Sequence, residues 1–295
     1  TNCYYNPDVD LGVPELIKKY TGNLQSYNVT TEDGYILTVF RVFKQNPIGV
    51  ILLQPPISAG SIAWTSDGNQ SLAFTLWNMG YDVWLTNHRG ASYSRKHVYL
   101  TDTDPQYWDY SFHEIATYDF EVQFELIRNE TNNSRIIYVG YSMSATEALI
   151  YASLKPEEAQ NFIKSFILIA PTSKFLRLGE FMTFEAARWI ADYLTFVPYI
   201  VNFFDSVIMG WTPDEMDPIL YPYIFSHHGR GITNKMLYHY IQIIASGNRF
   251  LMYDYGNKTN TVLYGSGLPP DYPLERILAP VYIIYGEKDA LATPT

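Results

Sequence analysis

The 295-residue chain has little cysteine, no surplus of positive charge and no long apolar run. Its single cysteine, Cys3, cannot close a disulfide within the chain, so it is either a free thiol or an interchain link. The formal net charge of −10 argues against nucleic-acid binding and against docking on an anionic membrane. No stretch approaches the roughly 20 apolar residues of a membrane span, so we expect no transmembrane segment. No signal peptide is recognisable, so we expect a secreted form to be this mature chain.

Sequence signatures of cofactor binding are missing as well. The glycines never group as G-x-G-x-x-G after a strand, and neither a phosphate-binding loop nor a His/Cys cluster with metal-ligand spacing occurs. We therefore expect neither a cofactor nor a bound metal.

Apolar residues make up 47% of the chain and charged residues 17%, as in a globular protein with a large core. Aromatic residues reach 16%, with 26 tyrosines scattered along the whole length. This excess either lines an apolar binding surface or fills a core whose hydroxyls reach water, and the scatter favours the core.

A serine stands at a sharp turn between a strand and a helix. Residues 136–139 are continuously apolar, as in a strand buried on both faces, and helical spacing of apolar residues begins at Ala145. The intervening Gly140-Tyr-Ser-Met-Ser144 is close to the G-x-S-x-G nucleophile elbow of α/β hydrolases, with Ser144 in place of the last glycine. The pattern predicts that Ser142 is exposed over the sheet end and that the Met143 N–H points at a developing oxyanion.

Strands and helices alternate along the rest of the chain. This order predicts an α/β protein with a mostly parallel sheet covered by helices on both faces. The alternation stops after residue 172, where the chain becomes helical and rich in aromatic residues, and a strand returns near Ala279. We expect a hydrolase core in residues 1–172 and 266–295 and a helical cap in residues 173–265, either over an apolar site or as an extra layer with its own core.

Five asparagines stand in N-x-[ST] triplets, which favours a glycoprotein of the secretory pathway. They are Asn28, Asn69, Asn129, Asn132 and Asn257.

Many segments in order resemble the acid lipase family, the gastric and lysosomal acid lipases with their insect relatives. The matching segments are Thr31-Glu-Asp-Gly-Tyr-Ile-Leu37, Asn69-Gln-Ser-Leu-Ala-Phe74, Gly80-Tyr-Asp-Val-Trp-Leu85, Arg89-Gly90, Tyr118-Asp119, Tyr138-Val-Gly140 with Ser142, Ala170-Pro171, Ser246-Gly247 and Tyr253-Asp254. The resemblance implies hydrolysis of triacylglycerols or cholesteryl esters by a Ser–Asp–His triad. It makes Ser142 the nucleophile and Asp289 the carboxylate that orients the histidine, with Ile57 and Met143 as the two oxyanion N–H donors.

Four departures from the family pattern bear on activity. First, the triad histidine should follow Asp289, whereas all six histidines precede it and are expected to be ordinary polar residues; they are His88, His97, His113, His227, His228 and His239. Second, Pro55-Pro56 replaces the family's His-Gly before the first oxyanion donor, and proline fixes φ and has no N–H. Third, the elbow has Tyr141 and Met143 where the family has His and Gln, besides Ser144. Fourth, the cap is shorter and lacks the family's cysteines.

Two hypotheses follow. The first is a secreted or yolk-granule glycoprotein whose triad has decayed, kept for storage, as in some insect yolk and egg proteins, or for binding a neutral lipid or acyl ester under the cap. The second is an active secreted or lysosomal ester hydrolase whose histidine lies on a C-terminal segment outside this sequence. We expect the last strand and helix of the fold to be missing from the chain as given, which would leave the apolar strand from Val281 to Tyr285 at an exposed edge, an aggregation hazard. We therefore expect a C-terminal fragment or a partner subunit to cover it.

Overall fold

In the computed structural model the described residues are 7–132, 134–173, 231–247, 249–287 and 289. They form an eight-stranded sheet with the order β1-β2-β4-β3-β6-β7-β8, and β5 pairs with β2 off this path. The strands are β1 Leu24–Thr30, β2 Tyr35–Val42, β3 Val50–Gln54, β4 Asp82–Leu85, β5 Lys96–His97, β6 Ile136–Tyr141, β7 Ile163–Ile169 and β8 Val281–Ile284. Strands β4, β3, β6, β7 and β8 are parallel, whereas β1, β2 and β5 join by antiparallel pairing.

Helices cover the two faces of this sheet. The α-helices are α1 Val13–Thr21, α2 Leu72–Asn78, α3 Phe112–Glu114, α4 Phe120–Glu130, α5 Met143–Leu154, α6 Pro156–Phe162, α7 Asn234–Ala245 and α8 Asn257–Tyr264. A π-helical turn, Ile115–Asp119, joins α3 to α4. Short 3₁₀ segments occur at Gly60–Trp64, Gly68–Gln70, Pro105–Trp108 and Leu274–Arg276.

The central strands explain why the sheet is buried on both sides. All five residues of β3 and all four of β4 are buried. Leu52 packs into one hydrophobic cluster with residues of α4 and α5, while its neighbour Leu53 packs into a second cluster with residues of α1 and α2. Side chains alternate across a strand, so a continuous apolar run fills both layers. This placement confirms the predicted α/β fold with a mostly parallel sheet.

Several local predictions are also confirmed. Helix α1 begins at Val13 with a proline in its first turn and ends before Gly22 in the left-handed conformation. The acidic turn Glu32-Asp33-Gly34 predicts a hairpin between a strand from Asn28 and a strand ending at Val42. That hairpin is β1 with β2, although β1 begins at Leu24 and not at Asn28. The sequence also predicts one long helix from Ser111 to Arg128, and this helix exists as α3 and α4, interrupted by the π-helical turn. Strand β5 and helix α6 were not expected from the sequence.

Only part of the predicted cap lies among the described residues. Residues 174–230, with most of its aromatic side chains and with His227 and His228, lie outside the described residues. Helices α7 and α8 fall within the predicted insertion. The division into core 1–172, cap 173–265 and core 266–295 stays a prediction.

Strand β8 lies at one edge of the described sheet. It pairs with β7, and three of its four residues are exposed, among them Ile283 and Ile284 at 54% each. Exposure of consecutive residues means that both faces of this strand are open, because neighbouring side chains point to opposite faces.

Candidate active site

The strand-to-helix turn at Ser142 has the backbone geometry of a nucleophile elbow. Ser142 has φ 59° and ψ −116°, a conformation that a residue with a Cβ rarely adopts. Its N–H donates to the Ile169 carbonyl at the end of β7, 2.8 Å away, which holds the turn against the neighbouring strand. The side chain is nearly buried, since Ser142 is only 8% exposed. Within the described residues its hydroxyl makes no hydrogen bond.

Gly140 allows helix α5 to lie close against β6. A Cβ at this position would meet a ring carbon of Tyr138 at 2.7 Å and the backbone of Ser144 and Ala145 at 3.0 Å. Only a residue without a side chain fits there, and this close approach aims the first turn of α5 at the end of the sheet.

Ser144 does not disturb this close approach. Its Oγ accepts a hydrogen bond from the Tyr141 N–H at 2.8 Å and lies 3.0 Å from both the Tyr141 and the Gln54 carbonyl oxygens. The side chain that replaces the family's glycine is thus fully buried and hydrogen-bonded.

The loop that follows β3 lies beside this elbow. Gln54 of β3 is in register with Gly140 of β6, and Pro55 and Pro56 follow it, both buried. Positive φ angles occur at Ser58 (65°) and Gly60 (68°), so the reversal of the chain comes after the prolines. Proline at position 56 is therefore compatible with this turn.

The two predicted oxyanion donors, the backbone N–H groups of Met143 and Ile57, make no hydrogen bond within the part of the chain that the structure describes. The N–H of Met143 is the first of α5, and the N–H of Ile57 follows Pro56. The loop bearing Ile57 is anchored further on, where the Ser61 N–H and hydroxyl both donate to Asn87 Oδ1 at 2.9 Å. Free, anchored N–H groups are what an oxyanion hole requires.

Asp289 lies in the loop after β8. Its N–H donates to the Gly286 carbonyl, 3.1 Å away. Burial raises the pKa of the Tyr141 phenol, and the Asp289 carboxylate raises it further. The carboxylate predicted for the triad therefore acts electrostatically on the residue that precedes Ser142.

None of the four described histidines hydrogen-bonds to the Ser142 hydroxyl. His97 Nε2 contacts the Asp33 carbonyl and its Nδ1 accepts from two backbone N–H groups. His113 Nδ1 is 2.8 Å from the Tyr272 hydroxyl. His239 binds the Leu251 carbonyl, 2.9 Å away, through Nε2.

His88 makes a contact that the sequence did not reveal. Its Nε2 lies 3.0 Å from Glu147 Oε2, and both side chains are buried. Burial lowers the pKa of His88, but the Glu147 carboxylate outweighs it, so the pKa lies above its ordinary value. The pair joins the loop after β4 to helix α5. His88 is thus a buried polar residue that contacts a buried carboxylate and not Ser142.

Three segments of the family resemblance meet in a second buried cluster. The Arg89 guanidinium donates through Nη2 to Asp33 Oδ1 at 3.0 Å and through Nε to Asp119 Oδ1 at 2.9 Å, and it lies 4.0 Å above the ring of Tyr35. Bidentate, charge-assisted bonds of this kind hold a loop in one geometry. Arg89 therefore fixes the loop between β4 and α3.

Helix α7 contacts the elbow helix through hydroxyl groups. The Tyr240 hydroxyl is 3.1 Å from Thr172 Oγ1, which is in turn 3.1 Å from Thr146 Oγ1 on α5. An open cleft of about 940 Å³ lies on another side of α7, between Trp108 and Tyr238, and its lining does not include Ser142. Most of the aromatic residues of the predicted cap over Ser142 lie outside the described residues.

The five candidate glycosylation sites are all on the surface. Asn28, Asn69, Asn129, Asn132 and Asn257 are exposed. Across the described residues no group of three or more His, Cys, Asp or Glu could hold a metal ion, and none of the described helices is long and apolar enough to cross a membrane.

Comparisons with known proteins identify the family of the chain. A family model described as the alpha/beta hydrolase fold matches residues 49–210, and one described as a partial alpha/beta-hydrolase lipase region matches residues 13–68. Lipase 1 of Drosophila melanogaster is 31% identical over 97% of this chain and 70% of that protein. Gastric triacylglycerol lipase of Homo sapiens is 29% identical over 98% of this chain and 81% of that protein.

Among solved structures, a thermophilic esterase from Thermogutta terrifontis superposes with a TM-score of 0.56 at 12% identity, covering 92% of this chain and 83% of that one. At this identity the likeness shows the fold alone. Together with the matching family models, the lipase relatives settle the ancestry. The chain belongs to the α/β-hydrolase family, in the lipase branch that includes the gastric triacylglycerol lipases.

Proposed function

We propose that this chain is a lipase-like protein that binds a neutral lipid as an acyl ester above Ser142, with strongly impaired hydrolysis by the 295 residues themselves. The observation that supports this proposal is that each described histidine is engaged away from Ser142. Its biological role is then lipid binding or storage of the yolk- and egg-protein type.

The chemical reason is that a serine hydroxyl without a neighbouring base is a poor nucleophile. A serine attacks an ester only when a base removes its proton as the new bond to the carbonyl carbon forms. In a triad enzyme, loss of the histidine lowers turnover on the order of 10⁶-fold, and the oxyanion hole and binding leave roughly 10³–10⁴-fold over water. Ser142 and the N–H groups of Ile57 and Met143 would then bind an ester without turning it over efficiently.

A second candidate function is ester hydrolysis, completed by a histidine that this sequence does not contain. The observation in its favour is the strained backbone at Ser142, next to two N–H groups that have no partner within the described residues. The histidine would take the Ser142 proton, Asp289 would orient its ring, and Ile57 and Met143 would donate to the oxyanion of the tetrahedral intermediate.

The test that separates the two uses the 295-residue chain with p-nitrophenyl butyrate, with trioctanoylglycerol and with a fluorescent glycerol ether lipid that cannot be hydrolysed. We expect binding of the ether lipid and no burst or turnover above that of Ser142→Ala. Serine-dependent turnover at about 1 s⁻¹ or faster, the range of ordinary enzymes, would establish hydrolysis and refute the storage proposal. Failure to bind the ether lipid would refute lipid binding.

A fluorophosphonate probe gives an independent reading. It reacts with an activated serine by forming a phosphorus–oxygen bond and releasing fluoride. We expect slow labelling of the wild type, abolished in Ser142→Ala. Labelling within minutes at micromolar probe would show that the hydroxyl is activated after all.

We also propose that the protein is a glycoprotein of the secretory pathway, secreted or held in a lysosome or yolk granule. The five exposed acceptor asparagines support this proposal. Expression behind a secretion signal in eukaryotic cells should give a protein whose mass falls on treatment with an N-glycosidase. An unchanged mass would contradict it.

A further inference from the structure

Ser144 has an unusual number of hydrogen bonds for a residue at this turn. Its Oγ accepts from the Tyr141 N–H and shares its single proton between the carbonyl oxygens of Tyr141 and Gln54, each 3.0 Å away. Its own carbonyl accepts from the Tyr138 hydroxyl at 2.8 Å. Ser144 is fully buried, so each of these bonds is shielded from water.

The bond to Gln54 joins two different parts of the candidate site. Gln54 is the last residue of β3 and Ser144 is the second residue of α5, so the bond crosses from one element to the other. The residue before Ser144 is Met143, and three residues after Gln54 comes Ile57. Their N–H groups are the two predicted oxyanion donors, and neither makes a hydrogen bond within the described residues.

The two prolines make this connection stiff. Pro55 and Pro56 each fix φ near −65°, so few free torsions separate the Gln54 carbonyl from the Ile57 N–H. Fixing the position of the Gln54 carbonyl therefore also restricts the position of the Ile57 N–H. A flexible segment between them would leave Ile57 free to move.

We propose that Ser144 is a positioning residue that sets the separation between the Ile57 and Met143 N–H groups, through its hydrogen bond to Gln54 and the Pro55-Pro56 segment. This inference rests on the proposed ester site at Ser142. Ser144 and the two prolines are departures from the family pattern. In this proposal they act together to position the two N–H groups. Two N–H groups at a fixed separation would bind the oxyanion of a tetrahedral adduct formed on Ser142.

Hydrogen exchange of the loop after β3 tests the connection without requiring a nucleophile. In Ser144→Ala the Gln54 carbonyl loses its bond to α5, and we expect exchange at least fivefold faster in peptides covering residues 57–60. Tyr138→Phe is the matched control, because it removes a buried hydrogen bond to the same residue without touching Gln54. Equal exchange rates in wild type and Ser144→Ala, or equal acceleration in Tyr138→Phe, would refute the inference whatever the chemistry of Ser142.

Binding of n-octylboronic acid then tests the site. The Ser142 oxygen forms a new bond to the trigonal boron, its proton goes to solvent, and the boron becomes a tetrahedral anion that ¹¹B NMR detects. We expect Ser144→Ala and Ser144→Gly to weaken this adduct about tenfold, a fraction of the effect of deleting an oxyanion donor. Ser144→Thr, which keeps the hydroxyl, should restore it, and Tyr138→Phe should leave it within twofold of wild type.

The outcomes separate the two proposals. Absence of an adduct in the wild type, as in Ser142→Ala, would overturn the claim that the site accommodates a tetrahedral oxyanion on Ser142, while the exchange result still decides the connection and ether-lipid binding still decides the proposed function. An adduct of unchanged affinity in Ser144→Ala would overturn the positioning role while leaving the ester site intact.

Discussion

The backbone of Ser142 is held at φ 59° and ψ −116° by bonds made on both sides of the turn. The Ile169 carbonyl binds its N–H, and its own carbonyl accepts from the N–H groups of Ala145 and Thr146. Such a conformation costs on the order of 1–3 kcal/mol for a residue with a Cβ and persists only where the surroundings impose it. The turn therefore stores strain at the serine that is predicted to be the nucleophile.

Replacing Ser142 by glycine should release that strain. Because glycine adopts positive φ freely, we expect Ser142→Gly to raise the free energy of unfolding by about 1 kcal/mol, even after the greater chain entropy of glycine is subtracted. Urea unfolding, monitored by tryptophan fluorescence, measures this change in the free energy of unfolding. Ser142→Ala keeps the Cβ and should show no gain; an equal gain in both variants would point to loss of the hydroxyl and not to strain.

At the same scale, the sequence predicted some residues of the site and not others. Ser142 was recognisable because strand, turn and helix patterns are local in sequence. The partners of Ser144 and His88 were not, since Gln54 and Glu147 come from other elements and no periodicity reports a contact across elements. The roles of Asp289, Ile57 and Met143 rest on family resemblance and stay predictions.

Helix α3 is one of the elements that join the core to helix α7. Lys235 of α7 lies 2.8 Å from Glu114, and the ring of His239 stacks on Phe112 with centroids 4.1 Å apart. Burial opposes ionisation of Glu114, but the Lys235 ammonium outweighs it and holds the pKa at about 2. Burial lowers the pKa of His239 to about 3 and that of His113 below its ordinary value.

This junction should weaken in acid. A histidine whose folded pKa is depressed stabilises the fold fully above its unfolded pKa of about 6.5, and that stabilisation is lost as the pH falls toward 3. The contribution of Glu114 is present above about pH 4.5 and is lost as the pH falls toward 2. Between pH 7 and pH 4.5 we therefore expect His239 to dominate.

We predict that the wild type loses about 2–3 kcal/mol more unfolding free energy between pH 7 and pH 4.5 than His239→Gln does. Urea unfolding at both pH values measures the difference. Glutamine can still donate to the Leu251 carbonyl but does not titrate, so it is the matched control. Parallel losses in the two proteins would contradict a buried neutral His239.

Across the whole molecule, the sheet leaves β8 with a single neighbour among the described strands. Val281 is partly buried, whereas Tyr282, Ile283 and Ile284 are more than half exposed. An apolar, unpaired strand edge is a template for association. The expectation that a C-terminal fragment or a partner subunit covers this edge stays a prediction.

In the isolated 295-residue chain we expect this edge to cause self-association. Light scattering after gel filtration should show dimers or larger species at tens of micromolar, and Ile283→Lys should shift them to monomer, because a charge at an edge strand opposes pairing. Val262→Lys is the control, since Val262 is 80% exposed on α8 and away from the edge. If both variants dissociate the protein equally, the edge is not responsible.

The overall topology was predictable from the sequence because buried parallel strands appear as short apolar runs separated by amphipathic helices. Strand β5, only two residues long, and the π-helical turn at Ile115–Asp119 leave no such periodicity. The buried Arg89 cluster was visible only as three separate matching segments, because its ion pairs join residues from distant parts of the chain.

The order of strands also has a consequence during synthesis. Strands β6, β7 and β8 add one after another to the same side of β3, so each meets a neighbour that has already emerged from the ribosome. The last addition is delayed, because the whole segment between Ile169 and Val281 is translated first. At 5–20 residues per second this interval lasts several seconds or more. We therefore expect the free side of β7 in a nascent chain to stay unpaired for that time, and translational pausing ahead of Val281 to prolong its exposure.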